Sequence, residues 1–95
     1  MNVQGLKLVI WDLDDTFWTG TLSEGEIVPN AEHIRLVKEL SYRGIVNSIC
    51  SKNDMEPAIA KLEELGVSDY FVFPSINWEP KGQRISTLIK DMKLR

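Results

Sequence analysis

The sequence predicts an α/β fold in which a parallel sheet is covered by helices, and three observations predict it. An almost unbroken apolar run lies near the start, from Leu6 to Trp11, as in a strand buried on both faces. Three later segments carry apolar residues at helical spacing. A short strand-like run precedes each of those segments, so the order is βαβαβα. Parallel neighbours need connections of about a dozen residues, which the helices supply as right-handed crossovers.

Taken in order, the first strand ends at Trp11. Residues 12 to 28 hold two Gly, three Thr and several acids without a helical period. They are read as a long functional loop, with a flap at residues 17–28. Ala31, Ile34, Val37 and Leu40 mark the buried face of a first helix, with Asn30 as its N-cap and Gly44 closing it in the left-handed conformation. Ile45 to Cys50 is a second strand. Asn53 and Glu56 match a capping box at the start of a second helix, whose buried face carries Ile59, Leu62 and Leu65 and which stops at Gly66. Tyr70 to Phe73 is expected as the third strand, Pro74 to Pro80 as a loop, and Ile85, Leu88, Ile89 and Met92 as the buried face of a third helix.

Composition bounds the function. Ninety-five residues, 43% of them hydrophobic, suit one globular domain over residues 1–95 with a core but little to spare. Eleven basic against fourteen acidic residues leave a net charge of -3, which argues against nucleic acid or an anionic membrane as partner. The one cysteine, Cys50, makes no internal disulfide, and no apolar run is long enough for a membrane span or a signal peptide, so a cytoplasmic location is expected.

In such a sheet, ligands bind beyond the carboxyl ends of the strands. Strand one ends in Asp12-Leu13-Asp14-Asp15-Thr16. In an extended chain Asp12 and Asp14 project to one side about 6.6 Å apart. Three carboxylates so close repel one another, and a hard cation such as Mg²⁺ would relieve them. An acidic turn exposed to water has the same composition, and spacing alone leaves both open. Strand two ends at Cys50-Ser51-Lys52-Asn53, where a hydroxyl and free backbone N–H groups suit an anion, or where Ser51 or Asn53 simply caps the helix. Lys81 opens helix three on the same rim. The helix macrodipole disfavours a cation there, which implies an anionic partner, although a solvated lysine is the plainer reading.

Cys50 reads as a small buried hydrophobe, His33 as solvated and distant from the rim, and Trp11 as core. Trp18 and Trp78 flank motifs, either lining a pocket mouth or packing. Lys61, Glu63 and Glu64 form a solvated helix face.

Together, Asp12-x-Asp14-x-Thr16, Ser51 and Lys81 resemble the first three motifs of the haloacid dehalogenase (HAD) superfamily of aspartate-based phosphotransferases. More narrowly, Asp12-Leu13-Asp14-Asp15-Thr16-Phe17-Trp18, Cys50-Ser51-Lys52-Asn53-Asp54 and Ile76-Asn77-Trp78-Glu79-Pro80-Lys81 look like the FkbH-like branch, subfamily IIIC, over residues 7 to 92. The resemblance implies a three-layer Rossmann-like core with strand order 3-2-1 and a Mg²⁺-dependent phosphatase. Asp12 would be the nucleophile, forming an aspartyl-phosphate, and Asp14 the general acid and base. Ser51 and Lys81 would stabilise the phosphoryl group, with Thr16 and Lys52 beside them. Asp12 and the Asp14 backbone carbonyl would hold the metal.

The family's fourth motif, an acidic pair after a fourth strand, has no counterpart before Arg95, so an incomplete core and impaired activity of this piece are expected. Thr19 stands where some FkbH-like proteins carry a cysteine, which counts against acyl transfer. A phosphorylated small molecule or carrier-linked substrate is the implied partner. Glyceryl transfer to an acyl carrier protein and a non-catalytic phosphoryl-binding module are the alternatives. Without a fourth strand, Leu8 to Trp11 would form an exposed edge protected only by Lys7, through which a homodimer is expected.

Overall fold

The computed structural model describes residues 8–93. Leu6, Lys7 and the side chain of Met92 lie outside the described residues. The strands are β1 (Leu8–Trp11), β2 (Trp18–Thr19), β3 (Val28–Pro29), β4 (Val46–Ser51) and β5 (Ser75–Ile76). The helices are α1 (Ala31–Tyr42), α2 (Met55–Glu64) and α3 (Lys81–Lys93). Among the described residues no helix is long and apolar enough to cross a membrane.

β1 runs parallel to β4, from Leu8 opposite Val46 to Trp11 opposite Ile49, and β4 runs parallel to β5 with Ser51 opposite Ile76. The order β5-β4-β1 is the expected 3-2-1. Among the described residues β1 has a partner on one side only. Leu8, Val9 and Ile10 are accordingly half-buried, where a central strand of this composition would be buried.

The third strand is not where its aromatic residues suggest. Ser68–Tyr70 is a single 3₁₀ turn, and Phe71 makes one isolated parallel bridge, to Asn47. Phe73 then turns to φ +52°, which breaks the extended backbone, and Pro74 brings no N–H to a ladder. Regular pairing resumes only at Ser75–Ile76, inside the segment expected as loop.

The core gathers Trp11, Leu13, Phe17, Val37, Ile49, Ala58, Leu62, Val67, Phe71 and Ile76. Phe17 is edge-on to Trp11 at 5.4 Å and to Phe71 at 5.6 Å, so the acidic loop is pinned to the sheet by its own aromatic residue. The polar character of β4 has a packing cause. Buried Asn47 accepts from Trp11 Nε1 (2.9 Å) and donates to the Val37 carbonyl (3.0 Å), which ties β1, β4 and α1 together. Cys50 is buried as expected.

The flap region is more ordered than a loop. β2 and β3 form a short antiparallel pair, Trp18 opposite Pro29 and Thr19 opposite Val28, so residues 18–29 make a small hairpin.

Asn30 caps α1 as expected, its side chain accepting from the His33 N–H at 3.0 Å, and Gly44 follows the helix at φ +81°. Asn30→Ala is expected to destabilise the fold by about 1 kcal/mol. That should lower the thermal midpoint by roughly 4–8 °C in a calorimetric scan.

Candidate active site

The carboxyl ends of β1 and β4 lie side by side, because Trp11 is in register with Ile49 and both chains run the same way. Asp12 continues the direction of β1 in an extended conformation (φ -87°, ψ 163°). One of its oxygens accepts from the Leu13 N–H at 2.8 Å, and the other accepts from Lys81 Nζ at 2.5 Å. The two side chains, 37% and 34% exposed, meet across 69 positions of sequence. The anionic partner implied by a lysine at a helix start is thus Asp12, whose charge offsets the unfavourable macrodipole.

Asp14 stands in a different environment. Oδ1 accepts from Trp18 Nε1 and from the Leu22 N–H, each at 3.0 Å, and Oδ2 accepts from Asn53 Nδ2 at 3.0 Å. Asp15 turns the chain at φ +53°, a conformation that Asp tolerates better than most residues. Its carboxylate accepts from the Gly20 N–H (2.8 Å) while its own N–H donates to the Gly20 carbonyl (3.1 Å). The crowding of three carboxylates is therefore relieved by donors within the fold, one set for each.

Ser51 closes β4 and is 1% exposed. Its Oγ accepts from Asn53 Nδ2 at 3.4 Å, which leaves the hydroxyl hydrogen able to rotate toward an incoming oxygen. Asn53 does not form the expected capping box. The N-cap of α2 is Asp54, without a side-chain cap bond, because the Asn53 amide is buried and engaged with Asp14 and Ser51. Asp54 instead accepts from the indole of exposed Trp78 at 2.8 Å, joining the loops before α2 and α3. Thr16 and Lys52 are exposed, and among the described residues neither joins the network around Asp12 and Asp14.

Two further residues were not singled out correctly from sequence. Arg84, one turn into α3, is buried and donates to Ser75 Oγ and to the carbonyls of Ser51, Ser75, Asn77 and Glu79. It sits at a position that helical periodicity assigns to the apolar stripe between Lys81 and Leu88, which is the one clue the sequence held. His33 is half-buried rather than solvated. Its ring lies 5.4 Å from Trp11 and 6.4 Å from Phe17, with Nδ1 3.3 Å from the Phe17 carbonyl. Trp18 packs fully and adds the bond to Asp14, so it is not a pocket lining.

The donor chemistry decides where a hard cation fits. Asp12 is a partly exposed carboxylate on the rim and suits Mg²⁺. The Asp14 carboxylate is already committed to three N–H donors, so Asp14 could contribute only its backbone carbonyl. A groove of about 740 Å³ runs beside α3, lined by Phe73, Pro74, Ile76, Thr87 and Leu88 among others. Neither Asp12 nor Lys81 lines it.

No protein-family model matches the chain, and no curated protein matches it. Solved structures do. The N-terminal part of the protein BF1531 from Bacteroides fragilis, containing a phosphatase domain complexed with Mg, aligns with a TM-score of 0.82 and 29% identity. The alignment covers 93% of this chain and 28% of that one. An uncharacterized protein from Listeria monocytogenes serotype 4b aligns with a TM-score of 0.73 and 20% identity, over 93% of this chain and 61% of that one. The chain thus spans less than two thirds of either. Its Rossmann-like α/β architecture, with parallel order β5-β4-β1, is one it shares with a protein containing a Mg-complexed phosphatase domain.

Proposed function

We propose that this chain carries the phosphoryl-transfer site of a Mg²⁺-dependent phosphatase of the HAD type, with Asp12 as nucleophile. The observation that carries the reading is the pairing of Asp12 with Lys81 on a rim that also holds Ser51 and Asp14. Lys81 has three N–H donors, of which Asp12 takes one, so two remain for phosphoryl oxygens. The Ser51 hydroxyl supplies another from the floor, with Thr16 and Lys52 at the margin.

In the first step an Asp12 oxygen attacks phosphorus and the ester P–O bond breaks. The departing oxygen takes the proton of Asp14, leaving an aspartyl-phosphate. In the second step water attacks the same phosphorus and gives its proton to Asp14. The bond to Asp12 breaks and inorganic phosphate leaves, which restores the carboxylate. Mg²⁺, when held by the Asp12 carboxylate and the Asp14 backbone carbonyl, supplies neutralisation between the two anions that must meet. Lys81 in the meantime holds Asp12 in one orientation, and the core packing of Phe17 keeps the loop from drifting.

Incubating the chain with p-nitrophenyl phosphate tests this. Hydrolysis that requires Mg²⁺ and stops in EDTA is expected, with acid-quenched samples carrying phosphate on Asp12 by mass spectrometry. A metal-independent rate, or turnover with no covalent phosphate, would overturn the nucleophile assignment.

A further inference from the structure

We infer that Asn53 is a positioning residue for Asp14, one that sets where the Asp14 carboxyl stands relative to the leaving-group oxygen; this rests on the phosphatase reading above. Asn53 is 2% exposed, so its amide is withdrawn from water and its bonds are not exchanged for solvent. Nδ2 donates to Asp14 Oδ2 at 3.0 Å and to Ser51 Oγ at 3.4 Å. Capping α2 does not occupy it, since the N-cap is Asp54.

The division of donors around Asp14 is the telling feature. Oδ1 is held by Trp18 and Leu22, four and eight positions along the chain, both within the hairpin of residues 18–29. Oδ2 is held by Asn53, 39 positions away and two residues past the end of the central strand β4. Asn53 is therefore the contact that references Asp14 to the sheet rather than to its own loop. Because the same amide touches Ser51, it also spaces the proton-transfer group from the hydroxyl that would hold the phosphoryl group. A short neutral side chain with a geminal pair of N–H bonds can bridge both oxygens, whereas a lysine would add charge and a serine would not reach as far.

The test uses leaving-group dependence, which loss of folding would not alter selectively. Asn53→Ala and Asn53→Asp are compared with wild type on an alkyl phosphate, whose departure needs a proton, and on a dinitrophenyl phosphate, whose departure does not. A fall in kcat/KM of roughly 10- to 100-fold on the alkyl ester is expected, with a change below about threefold in kcat/KM on the aryl ester. This ratio reports only the steps through leaving-group departure, so the second-step role of Asp14 does not enter it. In an Asp14→Asn background, Asn53→Ala should cost nothing further on the alkyl ester. Equal losses on both esters, or full additivity with Asp14→Asn, would overturn the inference.

A second readout needs neither turnover nor a change at position 53. The Asn53 side-chain amide resonances should shift when Asp14 is replaced by Ala, in ¹H–¹⁵N spectra of the folded chain. Unmoved resonances would overturn the contact even if activity is high. A wild-type chain inactive on both esters would overturn the phosphatase reading instead, while the spectra decide the contact independently.

Discussion

Asp12→Asn is expected to abolish Mg²⁺-dependent phosphate ester hydrolysis, by about 10³-fold or more, while leaving the fold intact. The amide keeps the shape of the side chain and can still accept from the Leu13 N–H, the 2.8 Å bond that orients it. It loses the negative charge that attacks phosphorus and that pairs with Lys81. That pair is more than a third exposed on both sides, so its loss alone should cost no more than about 1 kcal/mol of stability. A circular dichroism melt close to that of wild type, together with the lost rate, is the expected pairing. A mutant that keeps the wild-type rate would remove Asp12 from the chemistry.

Arg84→Ala is expected to be the most destabilising single change at the site, although Arg84 touches no reacting group. Its guanidinium joins three segments, the end of β4 through the Ser51 carbonyl, β5 through Ser75, and the loop before α3 through Asn77 and Glu79. Truncation removes all five bonds and leaves the buried Ser51 carbonyl and the part-buried acceptors of Ser75, Asn77 and Glu79 unpaired, at a cost of about 1–3 kcal/mol for each that water cannot reach. A total near 3 kcal/mol is expected once relaxation is allowed for, against a whole-domain stability of about 5–14 kcal/mol for a chain of this size. The thermal midpoint should fall by roughly 12–24 °C. Arg84→Lys should recover little, because one ammonium cannot address three segments at once. A midpoint within a few degrees of wild type would show that water takes over these carbonyls. Since the clamped loop leads into Lys81, a weaker apparent affinity for phosphate esters should accompany the loss.

How much of this was legible depended on the range of the interaction. The α/β class, the helix starts and stops at Asn30, Gly44 and Gly66, and the order of elements came from periodicity and turn chemistry, which act over a few residues. Asp12, Asp14, Ser51 and Lys81 were legible as candidates because odd polar residues stood just past strand ends, where parallel sheets place ligands. The third strand was misplaced because Tyr70 to Phe73 has the right composition, and composition does not reveal that Phe73 takes a positive φ.

The sequence by itself determined the three helices and the first two strands of the parallel sheet, and it named candidate residues on one rim, since these follow from local spacing. Only the tertiary structure decided the partners. Asn53 had a local option, capping α2, and a distant one, bridging Asp14 and Ser51, with nothing in its neighbours to choose between them. His33 has the spacing of a solvated helix residue and is held between Trp11 and Phe17 because β1 and the acidic loop come to it. Arg84 is charged yet buried because five acceptors from three segments converge on it. In each case a polar group's free energy depends on which donors and acceptors replace its lost water, and those arrive from parts of the chain that only folding brings together.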